Sequence, residues 1–176
     1  STANTTYELT NLRYAIAYRY GNSAGIVSEA DGVTLTNVAQ RGTIYGSVYA
    51  AGLVNDVTGT TNITNCYNVA DIHGNAASGL INRIEYNAST VTITNVYNSG
   101  AVYAPGSYGL IGSINNSTVN LSNSFNQNNN FVLGTIDNST VTVTNVACST
   151  NNYVNNGTIT GTISYSNDLK AYARTV

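Results

Sequence analysis

The chain has 176 residues, a net charge of −2 and 8% charged residues, against about 25% in typical soluble domains. Such a chain lacks the basic surface that nucleic acid needs, and no apolar run reaches the roughly 20 residues of a membrane-spanning helix. We therefore expect no nucleic-acid partner and no membrane span.

The first predicted element lies in residues 1–23, which we interpret as a degenerate copy of a repeat. Its end is the alternating segment Tyr14-Ala15-Ile16-Ala17-Tyr18-Arg19-Tyr20, which predicts a strand that neither Pro nor a run of charges blunts. An unblunted edge strand invites pairing with another chain. The residues of this predicted assembly edge are Tyr14, Ile16, Tyr18 and Tyr20.

Residues 24–165 repeat three short blocks separated by Gly, Asn, Asp and Ser. A block such as Gly79-Leu80-Ile81 is followed by an alternating segment ending in Thr-Asn, and then by a block such as Gly42-Thr43-Ile44-Tyr45-Gly46. The Thr-Asn copies recur every 22–30 residues. Self-similarity at this period is typical of stacked architectures. The chain is therefore predicted to be an all-β protein, a β-solenoid with about six coils and three short strands per coil.

The alternation also predicts which side chains face the core. Three inward columns are expected, one residue per coil: Leu9, Leu35, Ile63, Ile93, Leu121, Val143; Leu12, Val38, Cys66, Val96, Ser124, Val146; Ile26, Leu53, Leu80, Leu110, Val132. After Asn123 the chain runs through 127–130 directly into Phe131, so the third strand should be missing from that coil. Residues 166–176 are predicted to form a C-terminal cap, as a short helix starting at Asn167.

The segment Asn62-Ile63-Thr64-Asn65-Cys66-Tyr67-Asn68, continued by Ala70-Asp71-Ile72 and Gly79-Leu80-Ile81, resembles the GLUG repeat of bacterial surface and secreted proteins. The segment from Thr94 to Val102, with Gly109-Leu110-Ile111, is similar to it as well. The resemblance covers most of residues 24–146, although the usual double Gly before Leu is Ala51-Gly52 or Ser78-Gly79 here. It implies a surface-associated β-solenoid and carries over no catalytic residue.

Two outward surfaces are candidate binding sites. A nearly pure Thr column resembles the ice-binding face of some β-solenoid antifreeze proteins, and an aromatic row next to it is suited to sugar or protein contacts. Their residues are Thr36, Thr64 and Thr94, and Tyr67, Tyr97 and Phe125. The repeat Asn are predicted to occupy a corner of each coil and to bond to one another along the stack. They are Asn37, Asn65, Asn95, Asn123 and Asn145.

Residues that could carry catalysis were weighed against their places in the repeat. His73 and Asp71 share a strand face, but the His73 column contains Tyr45 and Tyr103, which favours an outward surface position. Glu29 and Asp56 should stack on adjacent coils, and Arg83 follows them, which favours a charge ladder over a metal or glycosidase site. We expect no enzyme activity, no catalytic residue, no metal and no cofactor.

Three sequons and two cysteines complete the candidates. Asn87, Asn116 and Asn138 begin Asn-x-Ser/Thr sequons in turn-like stretches and are the candidate glycosylation sites. Cys66 should be a buried thiol. Cys148 lies three coils further along, roughly 14 Å away at the spacing of neighbouring strands, too far for a disulfide.

These observations favour an extracellular structural or adhesive solenoid, a subunit that assembles with itself head to tail into a surface fibre. The chain contains no Met, so we interpret it as a processed, mature extracellular or cell-surface chain. Two alternatives stay open. One is an ice-binding protein that uses the Thr column, and the other is a carbohydrate-binding or carbohydrate-active solenoid with surface glycans as partners.

Overall fold

Short alternating segments that are separated by turn residues can bury their apolar faces only by stacking on one another. In the computed structural model of the protein they do so as parallel strands of successive coils, and the predicted all-β solenoid is confirmed. The structure describes residues 7–10, 17–19, 21–85 and 88–166, with side chains described from residue 21 onward. None of these residues is helical.

The described residues form 21 strands. In chain order they are β1 (Tyr7–Thr10), β2 (Ala17–Arg19), β3 (Ser23–Ala24), β4 (Val27–Asp31), β5 (Val33–Thr36), β6 (Ala39–Gln40), β7 (Thr43–Gly46), β8 (Tyr49–Ala51), β9 (Val54–Thr58), β10 (Thr60–Asn68), β11 (Asp71–His73), β12 (Ala76–Ser78), β13 (Ile81–Ile84), β14 (Thr90–Asn98), β15 (Val102–Tyr103), β16 (Gly106–Asn115), β17 (Thr118–Asn126), β18 (Phe131–Asp137), β19 (Thr140–Cys148), β20 (Val154–Asn156) and β21 (Ile163–Tyr165).

The strands stack into three parallel sheets, one along each side of the coil. The first sheet has the order β1-β5-β10-β14-β17-β19-β21, with β6 also paired to β10. The second sheet is β2-β7-β11-β15, and the third contains β3, β4, β8, β9, β12, β13, β16, β18 and β20. In the first sheet the register follows the repeat, since Ile63 pairs with both Leu35 and Ile93.

The number of complete coils is smaller than predicted. Four coils have a strand in every sheet, whereas the two coils that begin with β17 and β19 have strands only in the first and third sheets. The short connections at 127–130 and 149–153 are the reason, because neither leaves room for a strand of the second sheet. Only the first of them was expected from the sequence. About six coils with three strands each was therefore an overestimate.

The second sheet ends at β15, next to the only proline of the chain. Pro105 follows β15 by two residues and is exposed. Proline has no N–H to donate and is confined to edges and irregular positions of sheets. Pro105 accordingly lies between strands, after β15 of the second sheet and immediately before β16 of the third.

From residue 21 onward, the three inward columns form the core as predicted, except that Ile26 is only partly buried against it. Leu35, Ile63, Leu80 and Leu110 have no exposed surface, and burying each such side chain stabilises the fold by roughly 1.5–3 kcal/mol. A second, smaller cluster under the second sheet contains Ile44, Ala50, Ala70, Ile72, Ala77 and Val102. Its Ala residues bring the strands of the second and third sheets close together.

Two corners of the coil need a left-handed backbone. The repeat Asn have φ between 47° and 57°, and the corner before the first sheet is occupied by Gly32, Gly59, Ala88, Asn116 and Asn138, all at positive φ. Asn tolerates this region better than other residues that have a Cβ. The repeated Asn is thus a requirement of the turn.

Candidate functional site

The outward face of the first sheet is a regular array of hydroxyl and amide side chains. Thr36, Thr64 and Thr94 lie on it in register, each half-buried, and Thr94 Oγ1 is 3.1 Å from Ser122 Oγ of the next coil. A second column beside it contains Thr34, Asn62, Thr92, Asn120 and Thr142. A third column, which the sequence analysis missed, is Thr in four successive coils: Thr60, Thr90, Thr118 and Thr140. Its signal was the recurrence of Thr two residues before the second column.

The repeat Asn lie in one row and bond to each other. Asn65 Nδ2 donates to Asn37 Oδ1 at 3.2 Å, Asn95 Nδ2 donates to Asn65 Oδ1 at 3.0 Å, and Asn145 Nδ2 donates to Asn123 Oδ1 at 2.8 Å. Their amides thus repeat a contact along the solenoid axis, as in stacked-amide ladders. These amide groups use their hydrogen bonds on one another. The row therefore has a structural role at the corner and is a weak candidate for a ligand-binding site.

A second Asn ladder, inside the protein, was not predicted. Asn68, Asn98 and Asn126 follow the repeat Asn by three residues, are in register and are fully buried. Asn68 Nδ2 donates to Asn98 Oδ1 at 2.7 Å and to Ala70 O at 3.1 Å, and Asn98 Nδ2 donates to Asn126 Oδ1 and to Gly100 O, both at 3.3 Å. The recurrence of Asn at this offset was the available signal.

The internal ladder explains the repeat Gly of the third sheet. A Cβ added at Gly52 would lie 2.7 Å from Asn68 Cγ, and one at Gly79 would overlap the Asn98 amide and the carbonyl of Gly109. The backbone therefore passes so close to the buried amides that only Gly fits. The Asn and Gly of the repeat are one packing unit.

Both cysteines are buried, free thiols. Cys148 continues the internal ladder, because it is the register partner of Asn126. Its Sγ donates to Thr150 O at 2.8 Å. Each ladder Asn likewise donates to the carbonyl two residues ahead of it. Burial raises the pKa of both thiols, that of Cys66 to about 11.

We expect Cys66 to resist alkylation in the folded protein. The thiolate is the reactive form, and a pKa of about 11 leaves roughly 0.1% thiolate at pH 8. Iodoacetamide labelling at pH 8, followed by peptide mass spectrometry, should modify Cys66 only after denaturant is added. Equal labelling rates in native and denatured protein would contradict its buried position.

The predicted aromatic row is only partly a surface. Tyr67 and Tyr97 are half-buried, with rings stacked at a centroid distance of 4.8 Å and an angle of 3°. Arg41 Nη2 donates to the Tyr67 hydroxyl at 2.6 Å. Phe125 continues the row in register with Tyr97 but has no exposed surface. Placing Phe125 on a binding face is thus corrected, because a wholly buried ring cannot contact a ligand.

A second aromatic row lies on the second sheet. His73 is stacked between Tyr45 and Tyr103, with both centroid distances 4.7 Å, and the two Tyr are 43% and 55% exposed. His73 therefore has the outward column position that the sequence indicated. Asp71, on the same strand, accepts a hydrogen bond from the Ala101 N–H at 3.3 Å, so its carboxylate is bonded to the next coil.

Charged residues line a groove of about 370 Å³ on the third sheet. Glu29, Asp56 and Arg83 lie there in register. Arg83 forms a two-pronged ion pair with Asp56, with Nε–Oδ1 and Nη2–Oδ2 distances of 2.5 and 2.6 Å, and lies 4.2 Å above the Tyr49 ring. The hydrogen bonds that Arg83 donates to Asp56 raise the pKa of Arg83. The arrangement is a charge ladder whose cation is already paired.

A buried polar network supports this groove from behind. Ser78 Oγ donates to Asn82 Oδ1 at 3.4 Å, Asn82 Nδ2 donates to Asn55 Oδ1 at 3.3 Å, and Asn55 Nδ2 donates to Asp56 Oδ2 at 3.2 Å. The network holds the carboxylate for Arg83. Across the part of the chain that the structure describes, no group of three or more His, Cys, Asp or Glu side chains is placed to hold a metal ion.

The remaining candidates are partly outside the described residues. Asn116 and Asn138 are exposed, lie one coil apart and bond to each other through their amides, while Asn87 lies outside the described residues. Of the predicted assembly edge, Tyr14, Ile16 and Tyr20 are also outside them. Tyr18 is part of β2, in register with Tyr45. The cap predicted at 166–176 is described only at its first residue.

Comparison of the chain with protein-family models, with curated proteins and with solved structures gave no match. Within the described residues, no helix has the length and apolar character that crossing a membrane requires.

Proposed function

We propose that the protein is an extracellular structural or adhesive β-solenoid whose copies add end to end to form a surface fibre. The finer identification of its repeat as GLUG-type is part of this proposal, as is its location at the cell surface. The support comes from the repeat blocks, the low charge and the ends of the three sheets.

One observation carries the proposal: each sheet ends, at the N-terminal side, in a strand paired on one side only among the described strands. β1 pairs with β5, β2 with β7, and β4 with β9. Such strands present backbone N–H and C=O groups along an open edge, which is a template for a further strand. At the other end of the solenoid, the last strand is β21 in the first sheet and β20 in the third sheet. Each of these is also paired on one side only among the described strands.

End-to-end addition would place β21 of one copy against β1 of the next, and β20 against β4. A contact between different ends of the molecule is heterologous, and it forms an open filament unless the rotation closes a ring. The low net charge of −2 adds little repulsion to oppose such growth.

Lysine substitution at the edge tests the proposal better than truncation. Deleting residues 1–20 would remove β1 and β2 and expose β5 and β7 as a new edge. The variant Thr10→Lys/Tyr18→Lys instead puts charges on the edge strands, which opposes pairing. Its matched control is Thr60→Lys/Thr118→Lys, with the same added charge at exposed positions of interior strands two coils apart.

Sedimentation velocity at rising concentration, with negative-stain imaging, gives the readout. The parent chain and the control should form filaments, and the edge variant should remain monomeric. A parent chain that sediments as a monomer at high concentration, or an edge variant that polymerises like the control, contradicts the proposal.

Ice binding is the second candidate function, favoured by the third Thr column. The three columns form a grid whose spacings are about 4.8 Å between coils and about 6.7 Å along each strand. Thr92→Tyr should abolish thermal hysteresis, whereas Thr135→Tyr, on the third sheet, should leave it unchanged. An absence of hysteresis in the parent chain removes this candidate.

The aromatic rows give less support to carbohydrate binding. Sugars bind aromatic side chains by lying on the ring face, but Tyr67, Tyr97 and His73 turn ring faces toward their neighbours in adjacent coils. Mainly the ring edges are left for a ligand.

A further inference from the structure

Two phenols form an isolated pair on the outside of the first sheet. Tyr67 and Tyr97 are register partners on β10 and β14, and their parallel rings are 4.8 Å apart. The row continues to Ala39 before Tyr67 and to Phe125 after Tyr97. Within this row, each phenol therefore has the other as its one phenolic neighbour.

We propose that Tyr67 and Tyr97 are a site of oxidative cross-linking, at which a one-electron oxidant joins the two rings by a carbon–carbon bond between adjacent coils. The oxidant class is a haem peroxidase with hydrogen peroxide. Each phenol loses one electron and one proton, and the peroxide takes up both pairs to give two waters. The phenoxyl radicals couple at ring carbons ortho to oxygen, and the hydrogens on those carbons move to the oxygens. The protein loses two hydrogens.

The geometry favours coupling within this pair. The rings are parallel, with centroids 4.8 Å apart, so a small tilt or slide of the partly exposed rings brings an ortho carbon of one against an ortho carbon of the other. Arg41 donates to the Tyr67 oxygen and lies 5.3 Å from its ring centroid. The Tyr67 oxygen accepts that bond, so its own proton remains available for removal.

The second aromatic row provides an internal comparison. Tyr45 and Tyr103 are more exposed than the proposed pair, but His73 separates them and they lie two coils apart. If exposure alone set the outcome, Tyr103 would react first. If adjacency sets it, Tyr67 and Tyr97 couple and Tyr103 does not couple with Tyr45.

The experiment treats the purified chain, dilute enough to be monomeric, with a haem peroxidase and limiting hydrogen peroxide. Trypsin cleaves after Arg41 and Arg83, so a Tyr67–Tyr97 bond joins peptide 42–83 to peptide 84–170 with the loss of two hydrogens. Fragmentation of the joined peptides must locate the bond, because peptide 42–83 also contains Tyr45 and Tyr49, and peptide 84–170 also contains Tyr103 and Tyr108.

Two variants that each keep the ring make the test specific. Tyr97→Phe should abolish the joined peptide pair, and Tyr103→Phe, in the same tryptic peptide, should leave its yield unchanged. Circular dichroism checks that both variants fold. The proposal is overturned if Tyr97→Phe retains the pair, if Tyr103→Phe removes it, or if cross-links form only between molecules.

Discussion

Leu80→Asp is expected to abolish cooperative folding, while Thr94→Ala leaves the melting temperature nearly unchanged. Leu80 has no exposed surface and lies in the main core between the first and third sheets. A carboxylate there would lose its hydration without gaining a partner, at a cost of several kcal/mol. A loss above about 5 kcal/mol removes much or all of the stability of a domain of this size.

Thermal unfolding followed by circular dichroism measures the difference. Leu80→Ala should fall between the two, at about 2–5 kcal/mol, because it removes contacts without burying a charge. Thr94 faces outward and contacts Ser122 of the next coil, so its replacement by Ala should cost less than about 1 kcal/mol. Similar losses for the Leu80 and Thr94 variants would show that the inward and outward faces are assigned wrongly.

The second large effect is expected at the internal ladder. Asn98→Leu keeps a similar volume but removes the acceptor of Asn68 and the donor to Gly100 and Asn126, all of them buried. Each buried polar group left without a partner costs about 1–3 kcal/mol. We expect a total loss of about 3–5 kcal/mol, which lowers the melting temperature by roughly 6–20 °C for a chain of this length.

Asn120→Leu is the matched control for the ladder variant. It makes the same exchange on the neighbouring strand, at an exposed outward position, and should change stability by less than about 0.5 kcal/mol. Guanidinium unfolding of both variants gives the comparison. Equal midpoints for the two would mean that the internal amides contribute no more than surface ones.

The columns of the core could be predicted because their signal is local. In a strand the side chains alternate between faces, so Leu35 and Ile63 are recognised as inward from their own neighbours. The repeat then aligns one coil with the next, which places Glu29 beside Asp56 without any knowledge of the fold. The missing strand after Asn123 was visible as a shortened repeat.

The internal ladder could not be recognised by the same reasoning. Asn is a turn residue in most contexts, and Asn98 is buried only because amides above and below bond to it and Gly79 leaves it room. The burial of Phe125 also depends on tertiary packing, since it continues a row whose Tyr members are partly exposed. Periodicity within one strand carries no information about such neighbours.

The stacking register is the central claim of this account, and a paired-cysteine experiment tests it most directly. Thr94 and Ser122 are in register on adjacent coils, with hydroxyl oxygens 3.1 Å apart, and strands one coil apart lie within the Cα range of a disulfide. Thr94→Cys/Ser122→Cys should therefore form an intramolecular disulfide under mild oxidation. Thr64→Cys/Ser122→Cys, two coils apart, should not. A disulfide in the second variant but not in the first would contradict the register and the solenoid built on it.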